Sequence, residues 1–289
     1  MTTFLDILLQ GALLGGLYAL FGAGLALIFG VMRLVNLAHG DFIILAAFLI
    51  LAIGQGLGLD PFLSAGLALP VLFAFGYVLQ VGLLNRVLGR DILPPLLTTF
   101  GLSIIVQNGL LETFSADNRR LAAPAIEAAS IPLGGGMAVG VVPLMAFATA
   151  VLAILALNGL FFRTPVGRAF RAVSDDPVTA QLMGIDNRRI FGLAMAVAVV
   201  LAALAGLFFG LRANFDPSVG PARLIYAFEA VIIGGLGSFW GTLAGGMVLG
   251  IAQTAGASIN PEWQILAGHV AFLAILAVRP RGLFPRAVD

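Results

Sequence analysis

The chain contains no lysine and no cysteine among its 289 residues. Without lysine a phosphate-binding P-loop cannot be completed and no Schiff base can form, so ATP hydrolysis by that route and imine chemistry are excluded. Without cysteine there is no disulfide, no thiol nucleophile and no zinc–thiolate centre. Two histidines, His39 and His269, are too few for a structural metal site. Charge is also scarce. Charged residues make up 10% of the chain and hydrophobic ones 60%, with a mean hydropathy of +1.07, where ordinary soluble domains carry about 25% charged residues. No nucleophile–base arrangement and no nucleic-acid patch stands out, and nothing calls for a cofactor.

What is present is a succession of apolar runs at roughly 5–31, 42–57, 61–84, 92–111, 137–162, 190–211, 224–239, 241–259 and 263–278. Most are long enough to cross a bilayer. They predict an all-α polytopic membrane protein of eight to nine transmembrane helices. The runs at 42–57 and 224–239 are short, which makes them candidates for half-helices or re-entrant segments. The opening MTTFLDILLQ has no basic leader and reads as the start of the first span. Glycines recur every four residues at Gly237, Gly241 and Gly245, followed by Gly246 and Gly250, and again at Gly11/Gly15 and Gly206/Gly210. Such stripes let helix backbones approach closely, either within the chain or against a second subunit.

Arginine placement orients the chain. If all nine runs cross, eleven arginines fall on one side, namely Arg33, Arg86, Arg90, Arg163, Arg168, Arg171, Arg188, Arg189, Arg279, Arg281 and Arg286. Four fall on the other: Arg119, Arg120, Arg212 and Arg223. The first side is therefore expected to be cytoplasmic, with the N-terminus outside and the C-terminus inside. Eight crossings would move only the N-terminus. The external loops are 112–136 and 214–223, read as solvated connectors or as a landing surface for a soluble protein.

Polar residues within the runs are few. Thr98, Ser103, Gln107, Glu229 and Gln253 are the candidates for a solute pathway, with Gln80, Thr99, Asn108 and His269 nearby in sequence. A buried charge such as Glu229 must face protein or a cavity. Each residue has the alternative role of a helix–helix hydrogen bond. Glu229 and His269 together would make a proton relay, but their spacing gives no sign that they meet. Asn36, His39 and Asp41 form a short polar turn after the first span, where a lone histidine reads as a cap or loop residue.

The charged island 163–189 holds eight of the 29 charged residues. Pro165 and Pro177 favour helix starts there, Asp175 and Asp176 can cap the second helix, and Gly184 favours a stop. Arg168 and Arg171, three apart, share one helix face. Four segments carry a resemblance along nearly the whole chain: GALLGGLYALFGAGLALIFGVMRLVNLAHGDF at 11–42, TPVGRAFRAVSDDPVTAQLMGID at 164–186, GGLGSFWGTLAGG at 234–246 and RPRGLFP at 279–285. In this order and spacing they resemble the integral-membrane permeases of branched-chain amino acid ABC transporters, LivH-type.

The resemblance implies a single permease domain over 1–289 in a bacterial inner membrane. It also implies two cytoplasmic ATPase subunits, a second permease subunit and a periplasmic amino-acid-binding protein. The coupling loop of such permeases falls on Gly167, Arg168, Arg171, Ala172, Asp175, Asp176, Ala180, Gly184 and Ile185. The substrate class implied is branched-chain or other hydrophobic amino acids. The other classes compatible with the residues are a proton-coupled secondary transporter and a passive channel for a small solute such as urea or an amide. With no P-loop lysine, the purified chain is expected to show no ATP turnover above a mock preparation in a phosphate-release assay.

Overall fold

The computed structural model describes residues 2–89, 91–134 and 137–284. Arg90, Gly135, Gly136, Pro285 and Arg286, which entered the readings above, lie outside them. The elements run in chain order α1 (Thr2–Met32), α2 (His39–Leu57), α3 (Pro61–Gly82), α4 (Leu93–Phe114), α5 (Pro124–Glu127), β1 (Ser130–Gly134), β2 (Met137–Gly140), α6 (Val141–Arg163), α7 (Pro165–Asp175), α8 (Pro177–Leu182), α9 (Asn187–Arg212), α10 (Gly220–Gly234), α11 (Phe239–Ile259) and α12 (Trp263–Val278). Among the described residues seven helices are long and apolar enough to cross a membrane: α1, α2, α3, α4, α6, α9 and α11. The apolar α12 is shorter. The all-α polytopic expectation therefore holds, with one small addition. Strands β1 and β2 pair antiparallel, Ser130 with Gly140 and Ile131 with Val139, so the fifth run begins as a strand.

The helices run between two poles. At one pole the α1 side chain Gln10 donates to the Ala138 carbonyl at 2.9 Å, and Arg119 bridges Phe215 through paired backbone hydrogen bonds of 2.8 Å. At the other, the Ser174 hydroxyl of α7 donates to the Gly30 carbonyl at 2.7 Å, and Asn85 donates to the Arg188 carbonyl. The chain end returns to this second pole, where Leu283 N–H bonds the Ile233 carbonyl and Phe284 N–H the Gly234 carbonyl, at 2.8 and 2.9 Å.

The first helix is the axis. It is the most enclosed of the long helices and packs against α6, α9, α10 and α11. The glycine stripe on α11 serves two neighbours at once. Gly241 and Gly245 lie against the α10 carbonyls of Gly234 and Ala230, while Gly246 and Gly250 lie against the α1 carbonyls of Gly15 and Gly11. Both faces of the stripe are thus used within the chain.

Of the two short runs, the first becomes α2, at 19 residues long enough to cross, and the second α10, at 15 residues short of that length. After α1, Arg33 adopts a positive φ of 52° and the chain turns back alongside the helix it has just left. The His39 Nε2–H donates to the Phe21 carbonyl at 2.9 Å. Phe21 lies eleven residues before Met32, so α2 starts roughly 16 Å back along α1. The run expected at 224–239 is instead α10 at Gly220–Gly234, followed by a turn with Gly235 and Gly237 at φ 105° and 79°. The first residue of α10, Gly220, packs on Gly40 and Asp41 of α2 so tightly that no Cβ would fit on either glycine. Two helices therefore begin inside the bundle, end against end.

A Cβ at Gly246 would lie 2.5 Å from the Gly15 carbonyl oxygen. Gly246→Ala should therefore destabilise the protein by about 1–3 kcal/mol through overpacking. Gly66→Ala on α3, where nothing lies within 4 Å, should stay within about 0.5 kcal/mol. Thermal unfolding of both variants in detergent checks the contrast.

Candidate functional site

The pathway candidates fall into two groups, on different helices. Ser103 and Gln107 stand one turn apart on α4 and share a 3.0 Å hydrogen bond in which the amide donates. They sit beside the carboxylate of Asp41, in the first turn of α2. Asp41 is 1% exposed and neither of its oxygens has a well-formed hydrogen bond. Nearby, Thr99 accepts from the Leu37 N–H at 3.2 Å, anchoring the non-helical 33–38 segment to α4. Thr98 is not part of this group. Its hydroxyl donates to the Pro94 carbonyl of its own helix at 2.8 Å, as threonines in apolar helices do.

The second group joins four helices. The Tyr18 hydroxyl of α1 donates to Gln253 Oε1 of α11 at 2.5 Å. The Tyr18 ring stacks on Tyr226 of α10 with centroids 5.1 Å apart, and Tyr226 stacks on His269 of α12 at 6.3 Å. His269 Nδ1 in turn makes a short hydrogen bond to Glu229 Oε1 of α10. The partners that spacing alone did not join are thus in contact. Glu229 Oε2 and Gln253 Nε2 are buried and have no partner. The His269 side chain is 38% exposed and that of Glu229 5%, so the cluster reaches an open face of the bundle. Burying these polar atoms away from water carries a cost, and a helix bundle normally carries such groups only where they line protein or a pathway.

Sequence reasoning treated Asn36, His39 and Asp41 as a loop turn, and they are instead among the most buried polar residues of the chain, at 0%, 0% and 1% exposure. The available signal was their position between two apolar runs with no flanking charge beyond Arg33. Arg223 was counted only as an external loop charge. It lies in the first turn of α10, its guanidinium 4.7 Å from the Phe209 ring centroid and 5.4 Å from that of Tyr226.

The island 163–189 folds as the sequence chemistry requires. Thr164 caps α7 by accepting from the Gly167 N–H at 3.0 Å. Asp176 caps α8 by accepting from Val178 and Thr179 N–H groups at 2.9 and 3.2 Å. Asp175 does not share this role, being the last residue of α7. Gly184 ends the segment at φ 87°, and Ile185 N–H returns to the Ala180 carbonyl at 3.0 Å.

The two arginines separate. Arg168 is exposed, but Arg171 turns back and donates to the Phe161 carbonyl at the end of α6, lying over the Phe161 and Phe162 rings. Gly167 and Ala180 are buried, Ala172 and Ile185 half-buried, and Asp175, Asp176 and Gly184 exposed. Val178, Leu182 and Met183 are 69, 82 and 79% exposed, an apolar knob at the end of a bundle. Phe170, fully buried, faces Phe161 at 6.2 Å, and Phe161 meets Phe239 at the start of α11 at 5.5 Å. The segment is thereby tied to α1, α6 and α9.

A bundle of apolar helices with internal helix ends and a buried polar cluster defines a polytopic membrane protein. The chain belongs to the family described as branched-chain amino acid transport system / permease component, whose profile matches residues 7–278. It is 28% identical to the high-affinity branched-chain amino acid transport system permease protein BraD of Pseudomonas aeruginosa, over 98% of this chain and 96% of the relative. It is 27% identical to LivH, the permease protein of the corresponding system of Escherichia coli K12, over the same shares. LivM, a second permease protein of that system, is 29% identical over 49% of this chain and 33% of the relative. No solved structure matches.

Hydrogen bonds from Thr179, through its hydroxyl and its amide, hold the Asp176 carboxyl below its ordinary range. A lowered folded value contributes stability above the unfolded aspartate range that is lost as pH falls through the folded one. Amide protection in α8 should therefore be intact at neutral pH and fall below about pH 4. Asp176→Ala should show weak protection throughout. Hydrogen exchange corrected for intrinsic rates reads both.

Proposed function

We propose that the whole chain, 1–289, is one permease domain in the inner membrane of a bacterium, carrying branched-chain or other hydrophobic amino acids for an ABC importer. In this reading the chain performs no chemistry itself. Two cytoplasmic ATPases bind and hydrolyse ATP, a second permease completes the pathway and a periplasmic binding protein delivers the solute. The observation that carries the reading is the union of family membership with a segment, 163–189, that is capped, tied to the bundle and apolar at its tip.

The segment suits the transmission of movement. Ser174 hydrogen-bonds the Gly30 carbonyl at the end of α1, Phe170 packs on Phe161, and a Cβ built on Gly30 would lie 3.5 Å from the Gly237 Cα in the α10–α11 turn. A push on α7 therefore reaches the axis helix and the turn beneath the polar cluster. ATP-driven closure of the ATPases would move this segment and tip the bundle between outward- and inward-open states, with solute favouring one state only by differential affinity. Arg168 and the knob formed by Val178, Leu182 and Met183 are the groups available to a partner. Arg171 has the positioning role of holding α7 to α6.

On the pathway, Ser103 and Gln107 with Asp41, and Glu229 and Gln253 with Tyr18 and His269, supply the polar lining. The Glu229–His269 contact favours one second reading, a proton-coupled transporter that works alone. Such a protein would import leucine in vesicles without ATP when a pH gradient is imposed.

The test is uptake of labelled leucine into vesicles containing the complete transporter. Uptake should require ATP, and Arg168→Glu combined with Leu182→Glu should sharply reduce it while ATP hydrolysis continues. Because the chain has no cysteine, a single cysteine at position 182 should crosslink to an ATPase subunit. ATP-independent uptake, or normal coupling in the double variant with no crosslink, contradicts the proposal.

A further inference from the structure

We propose that α10 carries a recognition site for an amino-acid zwitterion, with Arg223 taking the carboxylate, Glu229 Oε2 the ammonium and Tyr226 forming the surface between them. The proposal deepens the amino-acid permease reading and rests on it.

Arg223 is half-buried, and among the described residues no carboxylate lies within ion-pair distance of it. Its Nε is buried without a hydrogen-bond partner. The guanidinium carbon lies 4.7 Å from the Phe209 ring centroid and 5.4 Å from that of Tyr226, contacts with ring faces that leave the forked N–H groups without an acceptor among the described residues. That fork matches a carboxylate in shape and charge. An arginine held this way in an apolar bundle, without an internal anion, is a site awaiting one.

Glu229 is the complementary half. His269 occupies Oε1, while Oε2 is buried and unpartnered. The histidine contact fixes the carboxylate, so the second oxygen is a preorganised acceptor for a cation. Tyr226 lies one turn from each charge on the same helix, and its ring is braced by Tyr18 on one face and by His269 further along. The Tyr18 hydroxyl is itself fixed by Gln253.

Tyr226 joins the two charges. The Arg223 guanidinium carbon lies 5.4 Å from its ring centroid, and His269, which holds Glu229, stacks on the same ring at 6.3 Å. A molecule bearing only one of the two charges would leave the other protein charge buried and unpaired, which is the more costly outcome. The site therefore selects for zwitterions over amines or acids of the same shape.

The test uses the full chain in lipid nanodiscs and three isosteric probes: leucine, leucinamide, which lacks the carboxylate, and 4-methylpentanoate, which lacks the ammonium. Binding is read by saturation-transfer NMR. The wild type should prefer leucine to either analogue by about tenfold or more, the strength of one charge-assisted hydrogen-bonded contact. In Arg223→Gln, leucine should fall to the level of leucinamide while leucinamide is unchanged. In Glu229→Gln, leucine should fall to the level of 4-methylpentanoate while that probe is unchanged. Should Arg223→Gln fail to fold, Arg223→Met keeps the packing of the stem on the rings and is read the same way.

Several results overturn the site. They are no saturable leucine binding to the wild type, equal binding of all three probes, leucine and 4-methylpentanoate binding alike (an anion site only), or variants that weaken all three probes together. Each leaves the permease reading standing if vesicles still import leucine. Loss of leucine import with the zwitterion preference intact would instead overturn that reading alone.

Discussion

The N-termini of α2 and α10 meet inside the bundle, where their free N–H groups cannot turn to lipid and must be covered by protein. Gly40 and Gly220 make that meeting possible, because a Cβ on Gly40 would need the volume of the Gly220 carbonyl and a Cβ on Gly220 that of the Asp41 carboxylate. Asp41 lies between the two helix ends, an anion where two helix dipoles present positive charge. Much of the interior follows from this junction. The chain 33–38 must run back along α1 to reach it, which buries Asn36 and His39 and draws Thr99 of α4 onto the Leu37 N–H. The chain 213–219 must descend from the opposite pole, which aligns Phe215 against Phe48.

The junction also sets where the polar groups of α10 stand. Because α10 begins partway into the bundle, its first turn carries Arg223 to the Phe209 ring of α9 and its third turn carries Glu229 to His269 of α12. A full-length helix in the same place would have moved these side chains to other depths. The glycine stripe of α11 then closes α10 onto the axis helix, so the polar cluster is assembled from α1, α10, α11 and α12 without any one helix holding more than two of its members.

What the sequence determined alone was set by local chemistry. A long apolar run makes a helix in lipid whatever its neighbours, because internal hydrogen bonding is obligatory there, so the runs that became α1, α3, α9 and α11 were legible to within a few residues. The helix limits within 163–189 were legible for the same reason: Pro165, Asp176, Pro177 and Gly184 act on adjacent backbone, while the Thr164 cap was not read from the sequence. Burial of Glu229, Gln253 and Ser103, and half-burial of Gln107, also follow from their apolar context.

Tertiary structure decided everything that depended on which helix faces which. The contact of Glu229 with His269, across 40 residues, and that of Tyr18 with Gln253, across 235, arise from helix packing that no spacing encodes. The inward turn of Arg171 onto Phe161 depends on how α7 folds back on α6, so two arginines on one helix face acquired different roles. The depth of Asn36, His39 and Asp41 was hidden because a polar turn after a span reads as a solvated loop unless the chain is known to reverse. Only the fitted backbones at Gly40 and Gly220 required that reversal, and close fit between distant segments is a property of three dimensions that a linear pattern of residue types does not contain.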